Sequence, residues 1–164
     1  MIYLDYSANT PVDAEVLQRF CEIEQHCPGN ANARHQAGAA AKAAIGQATR
    51  SIAQSLGVQP AEIIYTSGAS EANNFALKSL AALGRPAGRH IISTPLEHSS
   101  VSSSLTALQQ QGYEIDFVDI KQDGTVDLEH LKRLLRPDTI LAAVTAVDSE
   151  LGTVQPIAEI ADLL

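Results

Sequence analysis

Glu62-Ile63-Ile64-Tyr65-Thr66-Ser67-Gly68-Ala69-Ser70-Glu71-Ala72-Asn73-Asn74 joins a β-branched run to a helical pattern through a loop of small residues. The run over 62–66 predicts a buried strand. The pattern from Glu71 to Leu83 predicts a helix with Phe75, Leu77, Leu80 and Ala81 on its inner side. The first amides of a helix lack partners and carry the positive end of its dipole, so a loop without bulky side chains lets an anion approach them. Such loops are also ordinary strand-to-helix punctuation, and Ser70 also suits a plain helix N-cap.

Outward from this loop, strands and helices alternate. An extended start precedes a helix near Asp13 to Gln25, and a long alanine-rich helix runs from about Gln36 to Leu56 and ends at Gly57. After the strand at Ile63 come strands at His90–Ser93, Glu114–Asp119 and Ile140–Thr145, with helices at Ser99–Gln111, Leu128–Leu135 and from Ile157 onward. The expected fold class is α/β, a mainly parallel sheet flanked on both faces by helices. Ligands of open sheets gather beyond the carboxyl ends of strands. Gly68 to Ser70, Glu97 with His98, and Asp148 to Glu150 all fall there, so three loops are expected to converge on one crevice.

Composition narrows the partners. The formal charge of −8 argues against nucleic acid or an anionic membrane surface as partner, and no apolar run nears the roughly eighteen residues of a span. A basic-then-apolar leader does not follow Met1, so the expected location is the cytoplasm. Cys21 and Cys27 have neither zinc nor dithiol spacing; both read as ordinary cysteines, Cys21 partly buried, and no metal site is expected. No Gly-x-Gly-x-x-Gly follows a strand, which sets aside a dinucleotide fold.

Further segments surround these loops: Tyr3-Leu4-Asp5-Tyr6-Ser7-Ala8-Asn9-Thr10-Pro11, Gly29-Asn30 with His35 and Gly38, Glu97-His98, and Val147-Asp148-Ser149-Glu150-Leu151-Gly152. In this order and spacing the set resembles the class V aminotransferase family of pyridoxal-phosphate enzymes, closest to its cysteine desulfurases, over essentially the whole chain. The resemblance implies a fold type I pyridoxal-phosphate-dependent transferase. Residues 1–164 then form a single unit, with 1–12 an N-terminal segment and 13–164 the first part of the large cofactor-binding domain. It places Ala69 and Ser70 on the cofactor phosphate, His98 as the catalytic residue stacked on the ring and moving protons there, and Ser149 on the ring. His35 matches the family's Asn-Pro-x-x-x-His-x-x-Gly, although Ala31 stands where the proline would be.

The departures are as informative. Where the family commonly shows Val-Asn-Asn-Glu, this chain has Asp148, a negative charge in place of a neutral amide, and the shorter Ser149. The four lysines, Lys42, Lys78, Lys121 and Lys132, lack the family's Ser-x-His-Lys setting, so the lysine that anchors pyridoxal phosphate is absent, as is the nucleophilic cysteine. The helix signal of 157–164 runs to the last residue without a closing Gly, Pro or basic turn. The resemblance therefore implies the N-terminal part of a desulfurase-like enzyme, inactive alone. Its substrate would be L-cysteine or a similar amino acid, its partners a sulfur-acceptor protein and a second copy of itself. In the family the Ile63 strand pairs with strands this chain lacks, so here it is expected to find another neighbour, in a second copy or an exchanged segment. Alternatives are a non-catalytic binding module on the same fold, or another class V reaction such as a cysteine or selenocysteine lyase.

Overall fold

The computed structural model describes residues 2–164 and packs as two compact units, Met1–Tyr65 and Thr66–Leu164. In the first, helix α1 (Ala14–His26) starts at Asp13, whose carboxylate accepts from the Glu15 and Val16 amides at 2.8 and 3.3 Å. None of its residues is buried, and Cys21, expected to be partly buried, is exposed on its surface. Helix α2 (Gln36–Leu56) ends at Gly57 in the left-handed conformation, as expected. His35 caps its start, Nδ1 accepting from the Gly38 amide at 3.2 Å. A Cβ on Gly38 would lie 2.4 Å from the Ala33 carbonyl oxygen, so the 30–38 loop closes only over a glycine.

The strand expected at 62–66 does not form. Pro60–Glu62 is a 3₁₀ turn, closed by Glu62 accepting from the Gln59 amide at 2.6 Å. Ile63 to Thr66 follow without ladder bonds. A strand exists only through its neighbour, and among the described residues of this unit none offers one, so β-branched propensity alone leaves the run unpaired. Ile64 and Tyr65 stay exposed, the Tyr65 hydroxyl meeting Thr49 Oγ1 at 2.9 Å.

The second unit holds α3 (Ala69–Gly84), β1 (His90–Ser93), α4 (Ser99–Gln110), β2 (Glu114–Phe117), α5 (Leu128–Leu134), β3 (Thr139–Ala143) and α6 (Ile157–Leu163). Its sheet is parallel in the order β2-β1-β3. The chain steps one way across the sheet from β1 to β2 and back past β1 to β3. With one handedness of crossover, that reversal requires α4 and α5 on opposite faces. Neighbouring residues of β1 show this. Ile91 packs with Ala81, Leu105, Leu108 and Tyr113 under α3 and α4, while Ile92 packs with Val118, Val126, Leu131 and Ile160 under α5 and α6. Helices thus flank both faces, and all four residues of β1 are buried. On α3 the stripe is narrower than expected. Leu77 and Ala81 are buried, but Phe75 and Leu80 are exposed, because only the i, i+4 line of α3 faces the sheet.

At the amino edge of the sheet, Arg136 grips Asp138 through two bonds of 2.8 and 2.7 Å and reaches Glu114 at 2.7 Å. The guanidinium holds the Asp138 carboxyl below its usual 3.8, and the His130 and Glu129 amides at the α5 cap do the same for Asp127. A depressed folded value means stabilisation that is complete above pH 3.8 and is lost as pH falls through the lower folded value. Asp138→Asn and Asp127→Asn are each expected to be less stable than the parent near neutrality and to converge on it in acid. Urea midpoints taken across pH read this, and a gap that persists at low pH overturns it.

Candidate functional site

The loops leaving β1 and β3 lead to helices on opposite faces, α4 and α6, which makes the carboxyl edge between these strands the switch point where open sheets form their ligand crevice. Two side chains fasten its walls. Ser93 Oγ donates to the Ala143 carbonyl at 3.0 Å. Glu97 Oε1 accepts from Thr94 Oγ1 at 2.9 Å within its own loop and from the Thr145 amide at 2.7 Å in the loop after β3.

Immediately after Glu97, His98 caps α4. Its Nδ1 lies 3.1 Å from the Ser100 amide and 2.8 Å from Ser100 Oγ, and its ring is exposed. Ser100 Oγ in turn accepts from Asn73 Nδ2 at 2.9 Å, which ties the first turns of α3 and α4 together. Four other helices, α1, α2, α4 and α5, start with a side-chain cap; α3 starts at Gly68, which has none to offer. Ser70 is therefore not the N-cap but lies in the first turn of α3, exposed beside Ala69. Glu71 folds back to accept from the Ser67 amide at 2.6 Å, which holds its carboxyl below the usual range and closes the loop on itself.

Ser149 sits in the turn bracketed by the Val147–Val154 bridge and is exposed. The neighbouring Asp148 carries its charge beside this turn and uses one oxygen to hold it. Its Oδ1 accepts from the Glu150 and Leu151 amides at 2.9 and 2.6 Å, holding its own turn. Ala69, Ser70 and His98 are thus drawn together by the Asn73–Ser100 bond, and the loop carrying Ser149 is joined to that of His98 through Glu97. His35 lies in the other unit, capping α2.

The donor set at α3 fits a phosphate: amides without a side-chain cap, a free hydroxyl at Ser70, and no side chain on Gly68 to obstruct approach. None of the four lysines stands in the crevice loops. Lys42, Lys78 and Lys132 are on helices, Lys132 paired with Glu129 at 2.7 Å, and Lys121 is in an exposed turn. Among the described residues no three His, Cys, Asp or Glu side chains gather as a metal site would need.

Asn73, Ser100 and Thr145 were not among the expected site residues. A bond between residues 27 apart, or 48 apart for Glu97 and Thr145, leaves no periodic trace. The available signal was only that both Asn73 and Ser100 stand within a turn of a small-residue loop.

Residues 2–164 match the family model for aminotransferase class-V. Curated relatives include "Cysteine desulfurase IscS" of Dechloromonas aromatica, 40% identical over 99% of this chain and 40% of its own length. "Cysteine desulfurase, mitochondrial" of Arabidopsis thaliana is 40% identical over 97% of this chain and 35% of its own. Among solved structures, one titled "NIFS-like protein" superposes with a TM-score of 0.94 at 34% identity, over 99% of this chain and 44% of that one. Another, "SspA in complex with cysteine", gives 0.89 at 36% identity, over 98% and 46%. The chain thus spans about 40% of the length of the curated relatives it matches.

Proposed function

Because this chain belongs to the aminotransferase class-V family, we propose that it forms the phosphate-binding and ring-stacking part of a pyridoxal-phosphate enzyme that removes sulfur from L-cysteine. The observation that carries the reading is the uncapped start of α3 set beside His98 by the Asn73–Ser100 bond. The names of the relatives and the cysteine complex among the solved structures point to the substrate.

Pyridoxal phosphate supplies an electron sink that loosens bonds at the α-carbon of an amino acid. In this reading the Ala69 and Ser70 amides and the Ser70 hydroxyl bind its phosphate, using the positive end of α3. The exposed face of His98 would stack on the ring and hold a proton at Nε2. The Ser149 hydroxyl would donate to the ring, and Glu97 keeps the two loops joined. Residues 1–12 serve as the N-terminal segment and 13–164 as the first part of the large domain. The anchoring lysine and the thiolate that receives sulfur come from outside these residues, and the working form is a cytoplasmic homodimer that hands sulfur to an acceptor protein, in iron–sulfur assembly among other uses. A second reading, an anion-binding module without chemistry, is favoured by the placement of all four lysines away from the crevice. A cysteine or selenocysteine lyase would use the same cofactor contacts.

Titrating the full-length protein with pyridoxal phosphate separates these. Ser70→Ala is expected to weaken binding by about 10- to 100-fold, as loss of a hydrogen bond to a charged group does. Release of sulfur from cysteine by the loaded protein supports the desulfurase. Binding without turnover of cysteine supports the module, and no binding overturns the cofactor assignment.

A further inference from the structure

We propose that Asn73 and Ser100 are positioning residues that fix His98 as the tautomer with its proton on Nε2. The inference deepens the reading of His98 given above and rests on it for its importance, but its geometry stands alone. A backbone N–H can only donate, so the Ser100 amide at 3.1 Å requires a lone pair on Nδ1 of His98. Ser100 Oγ, 2.8 Å from the same nitrogen, must then donate its hydroxyl proton there. Asn73 Nδ2, 2.9 Å from Oγ on the other side, also only donates, so the hydroxyl proton has no competing acceptor on that side.

The polarity of the chain runs one way, from the Asn73 amide through the Ser100 hydroxyl to His98 Nδ1. Ser100 is 7% exposed, which keeps water from replacing either partner. Two donors on one ring nitrogen also restrict rotation of the imidazole. The remaining ring proton therefore sits on Nε2, the nitrogen turned away from α4. Neither residue is among the proposed cofactor contacts. They act through His98, and because Asn73 lies one turn beyond Ser70 on α3, the anion cradle and the ring are held by one pair of helices.

Long-range nitrogen–proton correlation spectra of the full chain, labelled at histidine nitrogen and free of cofactor, report the tautomer directly. They are recorded at about pH 8.5, well above the ordinary histidine value. The parent is expected to show His98 as the Nε2–H form. Asn73→Asp keeps the shape but offers the Ser100 hydroxyl an acceptor, and is expected to move the tautomer ratio toward Nδ1–H by about three- to tenfold, the range of one hydrogen bond. Ser100→Ala is expected to produce a similar shift and Ser100→Thr to restore the parent ratio, which loss of packing alone would not do. A parent spectrum of the Nδ1–H form, or a ratio indifferent to both Asn73→Asp and Ser100→Ala, overturns the proposal. Failure to bind pyridoxal phosphate would sink the proposed function and leave these spectra unaffected.

Discussion

Leu105→Ala is expected to destabilise the Thr66–Leu164 unit by about 2–5 kcal/mol, the usual range for a leucine truncated inside a core. Leu105 is 2% exposed and packs against Ala81, Ile91, Leu108 and Tyr113. The hole it would leave cannot collapse easily. Ile91 belongs to the central strand, and Tyr113 is pinned by its hydroxyl to the Ala81 carbonyl at 2.9 Å. Urea denaturation of the full chain should show a lower midpoint with little change in slope. Phe75→Ala, a larger deletion on the same pair of helices, should shift stability by no more than about 0.5 kcal/mol, because Phe75 is 53% exposed. Equal losses from the two substitutions would contradict the inner stripe assigned to α3.

Glu97→Ala should have the other large effect, at the site itself. Removing the carboxylate leaves the Thr145 amide and the Thr94 hydroxyl without their acceptor, and Thr94 is 2% exposed, so a cost of about 1–3 kcal/mol is expected. The functional loss should exceed the loss of stability. With the clasp gone, the loops after β1 and β3 separate, and the residues on them no longer act on one ligand. Glu97→Gln retains an amide oxygen able to accept both bonds and should recover most of the stability. On the proposed function, Glu97→Ala in the full-length protein loaded with pyridoxal phosphate should lower turnover of cysteine by at least about tenfold beyond any loss of cofactor binding. Turnover near the parent level would remove the clasp from the mechanism.

What could be read from the sequence was whatever is local. Gly57 ended α2 where expected, because only glycine closes a helix cheaply in the left-handed conformation. The apolar run at His90–Ser93 was found to its last residue, since burial on both faces removes alternation and leaves a plain β-branched signal. The stretch at 62–66 carried an equally strong signal and failed, because pairing is a property of two segments. On α3, helical periodicity admitted Phe75 and Leu80 as readily as Leu77 and Ala81; only the geometry of the sheet distinguishes them. The sequence marks Asp148 as a charge beside the site but does not reveal that its Oδ1 also accepts from the amides of its own turn. The loops after β1 and β3 can be placed at one edge from alternation alone, whereas the Gly68 loop is tied there by the Asn73–Ser100 bond and not by the strand expected before it; such bonds join residues far apart in sequence.

The burial of β1 on both faces has a mechanical corollary. A strand locked between two cores is the most enclosed of the three, and His98 hangs from its end by a connection of four residues, Thr94 to Glu97, fastened sideways by Glu97. The turn bearing Ser149, in contrast, is braced chiefly by its own short bonds, with Val147, Leu151 and Val154 all exposed. The imidazole therefore stands on the better braced of the two walls, and any yielding to a bound ligand falls to the tip of the 147–154 turn, beyond Thr145, the residue that Glu97 fastens.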